Sequence, residues 1–316
     1  MSRDSGVARL IQTAKNKLVQ MGPDNPLTRS ALAWHGSRRG FRISFGEAIC
    51  IQKETSVMRV AKSSFQMIPY MLEYFGLYFR SFETRAEGSL DVLDFSVPAF
   101  HRYLKTGREF FFSSIPEEEF GEQYTRFYRP RNGDVVFDLG ANAGATACYF
   151  AEAVGPAGKV FAFEPDESTF ATLLRNIAHS GLKNIVPVKK AVGASTGTAT
   201  FHMDGTLASG FADLVTYPGT GVLKTVEVLT LEDAILEVGA VPRFVKMDVE
   251  GAEIGIVTRS LEYLTKQPIH FAADSSHIVE GKMTCGALDT LFASIGYKVL
   301  SSADSGQMFT WATPCA

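Results

Sequence analysis

Val135-Val136-Phe137-Asp138-Leu139-Gly140-Ala141-Asn142-Ala143-Gly144 carries the reading of the fold. A short apolar run, Val135 to Leu139, ends in an acid and runs straight into a turn of small residues. Ala145 to Val154 follows with helical character, and Gly155-Pro156-Ala157-Gly158 breaks it. Working outward, Lys159 to Phe163 reads as a second strand, Glu167 to Ser180 as a second helix stopped by Gly181, and Ile185 to Val192 as a third strand. Strands alternating with helices through short links predict a parallel sheet with right-handed crossovers.

Downstream, Thr198 to Thr230 is β-like and rich in loops, with a glycine-containing stretch at Asp204 to Gly221. Thr230 has the character of an N-cap for a short helix. Phe244 to Asp248 predicts a buried strand, 252–266 a helix, Pro268 to Ala273 a strand, Ala287 to Ser294 a helix, and Tyr297 to Ser301 with Met308 to Ala312 a closing antiparallel pair. Upstream, 65–82 predicts a helix rich in Phe, Tyr and Met, which would pack on the body or cover the acceptor site. Val7, Leu10, Ile11, Ala14 and Leu18, with Arg and Lys between them, predict a short basic amphipathic helix. The expected division is an extension over 1–115, with mixed secondary structure, and a catalytic domain over 116–316.

The chain has 316 residues, 46% hydrophobic and 21% charged, which is enough apolar content for a full core. Its net charge of −3 is unevenly spread: residues 1–62 hold 11 Lys/Arg against 4 Asp/Glu. That basic leader can make weak contact with an anionic membrane surface. Four scattered cysteines show neither metal-ligand spacing nor a disulfide framework. No secretory-type apolar run opens the sequence, and 65–82 is too interrupted to span a bilayer. A soluble, cytoplasmic protein is the expectation.

The turn at Gly140 fails the dinucleotide fingerprint, because Asn142 and Ala145 stand where its second and third glycines belong, and no Gly-Lys-Ser/Thr of a phosphate loop follows. What it offers is small residues at a strand's carboxyl end, where open α/β sheets bind ligands. Gly140 and Gly144 allow close approach of backbone to a flat ligand. Asp138 can accept from backbone N–H groups or a ligand ammonium, or else cap the following helix. Glu164, at the end of the second strand, suits the two hydroxyls of a ribose, with Pro165 stiffening the chain beside it. Together these residues predict a ligand containing adenosine.

These motifs resemble the FkbM-type methyltransferases of the class I S-adenosylmethionine superfamily. The resemblance covers roughly 132–301 and is carried by Gly133 to Gly144, Gly158 to Asp166, Arg175-Asn176, and above all Val245-Lys246-Met247-Asp248-Val249-Glu250-Gly251-Ala252-Glu253. It implies a Rossmann-like sheet of seven strands and S-adenosyl-L-methionine as cofactor. It also implies methyl transfer to a hydroxyl oxygen of a sugar, glycolipid or related metabolite. By that resemblance Asp138, Gly140 and Asn142 would flank the methionine part, Glu164 would bind the ribose, Lys190-Ala191 would border the adenine, and Asp248 would sit beside the sulfonium. Gly144 and Pro165 complete the expected cofactor set. One departure stands out: many relatives carry a Glu in the strand that reads Ile269-His270-Phe271-Ala272-Ala273-Asp274 here. Either Asp248 or His277 is then the expected base.

Asp248, Glu250 and Asp274 could bind a divalent metal, but carboxylates so spaced are commoner as helix N-terminal charges, so no metal is expected. The partners expected are a small-molecule or glycan acceptor, with no nucleic acid. The acidic remainder of the chain and the absence of an Asn/Asp-Pro-Pro-aromatic motif disfavour a nucleic-acid or protein N-methyltransferase. Retention of Asp138, Glu164 and Asp248 together argues against a non-catalytic cofactor-binding protein. Oligomeric state is not legible.

Overall fold

The computed structural model describes residues 21–117, 120–203, 209–214, 222–304 and 306–315. The basic amphipathic segment at the start of the chain, and its membrane contact, lie outside the described residues, as does most of the 204–221 stretch. The chain divides into two units, Met1–Glu118 and Glu119–Ala316.

The first unit contains helix α1 (Pro26–Ser37) and the strands β1 (Arg42–Phe45), β2 (Ile49–Lys53) and β3 (Ser56–Val60). Helix α2 (Ile68–Ser81) is followed by β4 (Arg85–Glu87), β5 (Leu90–Phe95) and a hairpin of β6 (Ala99–Arg102) and β7 (Glu109–Phe112). Five strands form one sheet in the order β1-β2-β3-β5-β4, in which only β3 and β5 run parallel. The aromatic helix expected over 65–82 is therefore α2 with a preceding 3₁₀ turn, Lys62–Met67. Its face is buried through Met71, Leu72, Phe75 and Tyr78, whose rings meet Phe41 and Phe95 of the same unit.

The second unit follows the strand-helix alternation. β8 (Val135–Leu139) leads into α3 (Ala145–Val154), β9 (Lys159–Phe163) into α4 (Glu167–Ser180), and then β10 (Ile185–Val188). Asp166 caps α4 by accepting from Ser168 N and Thr169 N at 2.9 and 3.1 Å, and Gly181 ends it at φ 72°. The single strand expected over 185–192 is two: β11 (Ala191–Val192) leaves the main sheet and pairs elsewhere. With β12 (Gly197–Met203), β13 (Gly210–Phe211) and β14 (Val222–Leu229) it forms a four-stranded sheet in the order β11-β14-β12-β13. The break falls at the paired lysines, Lys189 and Lys190, after Val188, while Pro187 stays within β10 in register with Ala162.

Helix α5 (Leu231–Val238) is capped by Thr230, which accepts from Asp233 N at 3.1 Å. It leads to β15 (Phe244–Met247), α6 (Glu253–Lys266), β16 (His270–Asp274), the short pair β17 (Ile278–Val279) and β18 (Lys282–Met283), α7 (Cys285–Ser294), β19 (Tyr297–Asp304) and β20 (Gln307–Pro314). The main sheet has seven strands in the order β10-β9-β8-β15-β16-β20-β19. The first five are parallel, and the β19–β20 hairpin closes the edge antiparallel. This is the Rossmann-like class I methyltransferase layout expected from the sequence. Phe137, Phe163, Val245, Met247 and Phe271 form its buried centre. The strand order reverses between β8 and β15, which opens the crevice at their carboxyl ends where such sheets bind ligands.

Among the described residues no helix is long and apolar enough to cross a membrane.

Candidate active site

Asp138 and Lys246 are register partners on neighbouring parallel strands, β8 and β15. Both are buried in an otherwise apolar layer, and Lys246 Nζ lies 3.1 Å from Asp138 Oδ1. The ammonium also donates to the Gly140 carbonyl at 2.7 Å, so one buried cation fastens both the acid and the turn that follows it. Burial pushes the Asp138 carboxyl above the ordinary carboxylate range, against the opposing pull of Lys246. Its Oδ2 has no hydrogen-bond partner among the described residues. The other role open to Asp138, capping the next helix, is not seen: α3 begins at Gly144 without a side-chain cap.

The turn is held on both sides. Gly140 N and Ala141 N donate to Phe163 O at 3.1 and 2.9 Å. Gly140 has φ 73°, and a Cβ there would collide with the backbone carbonyl of Asp248. Gly144 has φ 86°, and a Cβ would meet Leu173 of α4 at 2.5 Å. Asn142 takes a left-handed conformation, φ 48°, and its backbone N–H donates to Glu164 Oε2 at 3.0 Å. The other Glu164 oxygen accepts from Asp166 N at 2.8 Å. Glu164 is thus aimed at the glycine bend by two backbone donors, each leaving an oxygen able to accept again. Burial pushes its carboxyl up to about 7, against the pull of the two backbone donors. Pro165 is buried beside it. Asn176, on α4, donates to Ala143 O at 2.8 Å and ties the second helix to the turn.

Ala191 sits apart from this knot as the first residue of β11. It is reached through β10, whose Val188 carbonyl accepts from both Glu164 N and Lys190 N. The Lys190 side chain is turned to Glu237 and Glu227 at 2.7 and 3.2 Å.

Asp248 follows β15, with its backbone N–H on Leu139 O at 3.1 Å. Tyr124 OH donates to Asp248 Oδ2 at 3.0 Å, and the Tyr124 ring lies 5.5 Å from Lys246 Nζ. His277, arriving after β16, places Nε2 3.6 Å from Asp248 Oδ1 and 3.7 Å from Glu250 Oε2. Its Nδ1 is 3.0 Å from Oε1 of Glu253, a fully buried acid that opens α6. Burial disfavours a charged imidazole here, but Glu253, Glu250 and Asp274 outweigh it and hold His277 well above its ordinary value. Burial likewise raises Glu250 to about 8 and, with Asp248, Asp274 to about 6.

Asp248, Glu250 and His277 each bring one ligand atom within 4.8 Å of the others, the group among the described residues with spacing for a metal ion. It contains a histidine where the sequence suggested Asp274. The structure therefore gathers Asp138, Gly140, Asn142, Gly144, Glu164 and Pro165 at one bend, and Asp248 with His277 at its border. Sequence reasoning passed over three partners. Lys246 and Glu253 lay inside the quoted stretch from Val245 to Glu253, whereas nothing local singles out Tyr124.

Comparison with known proteins bears on residues 138–299, which match the Methyltransferase FkbM domain. The 31-O-demethyl-FK506 methyltransferase FkbM of Streptomyces tacrolimicus is 29% identical over 202 residues, covering 55% of this chain and 76% of that protein. Among solved structures, the methyltransferase FkbM of Methylobacillus flagellatus KT superposes with a TM-score of 0.44 at 14% identity, over 79% of this chain and 54% of that one. The chain thus spans about half of that protein's length. Fibrillarin of Aeropyrum pernix, in complex with natively bound S-adenosyl-L-methionine, gives a TM-score of 0.40 at 12% identity over 86% and 97%.

Proposed function

This chain belongs to the FkbM methyltransferase family, and from that membership we propose that it transfers a methyl group from S-adenosylmethionine to a hydroxyl oxygen of a sugar, glycolipid or related metabolite. The observation that carries the reading is the convergence of Asp138, Glu164 and Asp248 on one glycine bend at the ends of β8, β9 and β15.

The residues present fit that cofactor. Asp138 Oδ2, buried without a hydrogen-bond partner, suits an ammonium. Glu164 keeps acceptor capacity on both oxygens for ribose hydroxyls, and Gly140 with Gly144 keep the bend free of side chains. Gly140, Asn142 and Pro165 would shape the wall, and Ala191 would border the adenine. When bound, the cofactor supplies an electrophilic methyl on a sulfonium.

The chain's own work is alignment and proton removal. A neutral hydroxyl is a weak nucleophile, and a base beside it typically contributes about 10²- to 10⁴-fold. Asp248 and His277 stand together at the border of the bend, and the acceptor proton leaves to this pair. A hydroxyl acceptor is supported by the Streptomyces relative, a 31-O-demethyl-FK506 methyltransferase, whose name puts that enzyme's methyl on an oxygen.

Calorimetric titration with S-adenosylhomocysteine tests the cofactor assignment, and the absence of heat at millimolar ligand would refute it. Transfer of a radiolabelled methyl to sugar, lipid and RNA pools then tests the acceptor. Label in sugar or glycolipid is expected, and label confined to RNA would overturn the acceptor class.

A further inference from the structure

The ring of His277 is fixed from a different element of the fold. Its carbonyl accepts from Thr284 N at 2.9 Å, which pins the backbone of its loop. The imidazole itself is met from behind by Glu253 Oε1, 3.0 Å from Nδ1. That carboxylate is anchored in turn by Val249 N at 3.1 Å and Gly251 N at 3.4 Å, donors from the turn that carries Asp248. Glu253 is fully buried, so its geometry is set by packing and by these bonds together. An ionised carboxylate accepts only, which makes Nδ1 the ring nitrogen that carries hydrogen toward it. Nε2 is left directed at Asp248 Oδ1 and Glu250 Oε2, at 3.6 and 3.7 Å. Those separations exceed hydrogen-bond length, so the three groups share no proton directly.

Resting on the methyl-transfer reading above, we propose that Glu253 is a positioning residue, which fixes the tautomer and the aim of His277 so that Nε2 meets the acceptor hydroxyl. The acceptor O–H bond breaks toward Nε2 of the neutral ring, the form that gains population as pH rises because the surrounding acids favour the imidazolium. The electron pair left on oxygen forms the new bond to the methyl carbon, and the carbon–sulfur pair departs with sulfur. Glu253 keeps Nδ1–H as its partner throughout and stabilises the imidazolium that forms. A carboxylate behind a basic imidazole is the arrangement that orients histidine in nucleophile-activating triads. The other charged groups facing the ring are Asp248 and Glu250 from the turn after β15 and Asp274 from β16. These can tune the ring electrostatically, but Glu253 alone among them contacts Nδ1 at hydrogen-bond distance.

The full chain labelled with ¹⁵N-histidine provides the test, with the His277 signals assigned through His277→Gln. In Glu253→Gln the titration midpoint of His277 is expected to fall by about one pH unit or more. Turnover on the labelled acceptor pool is expected to fall about 100-fold. Affinity for S-adenosylhomocysteine should stay within about threefold of wild type, because the hydrogen-bond partners of Glu253 Oε1 are Val249 N, Gly251 N and His277, none of them assigned to the cofactor. Glu253→Asp should recover part of both losses. Unchanged titration and turnover in Glu253→Gln would overturn the proposal. So would loss of S-adenosylhomocysteine binding together with turnover, which marks a merely structural role. Turnover insensitive to His277→Gln but lowered by Glu253→Gln would overturn it as well, while leaving methyl transfer itself intact. Selective broadening of the His277 signals by micromolar MnCl₂ would overturn it in favour of a metal ligand. Failure of the parent reading is separate: the wild-type chain would then neither bind S-adenosylhomocysteine nor label any pool.

Discussion

Gly140→Ala tests the geometry on which the cofactor assignment depends. Gly140 holds φ 73°, a left-handed conformation that costs an L-residue about 1–2 kcal/mol. A Cβ there would also stand 3.0 Å from the carbonyl carbon of Asp248 and closer still to its oxygen, below any approach that real Cβ atoms make. The obstacle is backbone, so it cannot rotate aside. Either the bend or the Asp248 peptide must move by roughly 1 Å, at an overpacking cost of about 1–3 kcal/mol. The sum is about 2–5 kcal/mol, a large share of an ordinary domain's stability. Gly181 provides the control, since its φ is 72° but a Cβ would meet nothing within 4 Å, so Gly181→Ala carries the backbone cost alone. Melting should therefore drop by about 10 °C or more in Gly140→Ala and by about 2–8 °C in Gly181→Ala. Displacing the bend also separates Asn142 from Glu164 and shifts Asp248, so affinity for S-adenosylhomocysteine should weaken about 100-fold or more in the first variant and stay unchanged in the second. Equal melting points, with Gly140→Ala binding like wild type, would refute the claim that this contact shapes the site.

Two further outcomes follow from buried charge. Lys246→Met leaves Asp138 buried opposite an apolar chain and releases the Gly140 carbonyl, a loss of about 3–5 kcal/mol in denaturant melts. Adding Asp138→Asn should restore part of it, and a double variant no more stable than Lys246→Met would break the argument. The ligand-free chain should also lose thermal stability as pH rises from about 5 to 9. Glu164 and Glu250 are raised to about 7 and about 8 in the fold, and His277 is raised above 6.5. Each of these groups binds its proton more tightly folded than unfolded, so its stabilisation is complete below its unfolded value and disappears as pH climbs through its folded one. A melting temperature that is flat or rises over that interval would show that these acids are ionised in the fold at little cost.

The sheet was legible because each strand of the crevice announces itself locally. Val136 to Leu139 and Phe244 to Met247 are buried runs, apolar but for Asp138 and Lys246, and glycines bound the helices between them. The bend was legible for a related reason: left-handed backbone at Gly140, Asn142 and Gly144 demands residue types that stand out in the sequence. The run over 185–192 misled because apolarity does not report which sheet a strand joins, and β10 and β11 part company within it.

The site's second half was harder to read, because its partners meet only through tertiary contact. Lys246 stands in an apolar strand and looks anomalous until β8 supplies Asp138 at the same register. Glu253 resembles an ordinary first-turn acid, favourable at any helix start, until β16 delivers His277 to it from 24 residues away. Tyr124 precedes the whole sheet and reaches Asp248 across 124 positions. The same electrostatics explain why these groups must come in sets. A buried acid with no partner would be neutral or destabilising, so each acid at these strand ends implies a donor elsewhere in the chain. Asp138 has Lys246, Asp248 has Tyr124, and Glu253 has the turn amides and His277. The two remaining acids are Glu250 and Asp274, the latter accepting from Ser276 N at 2.9 Å, and both are pushed up by burial. They flank the one imidazole in the cluster, so the excess of negative charge is concentrated where a proton must be received and then released.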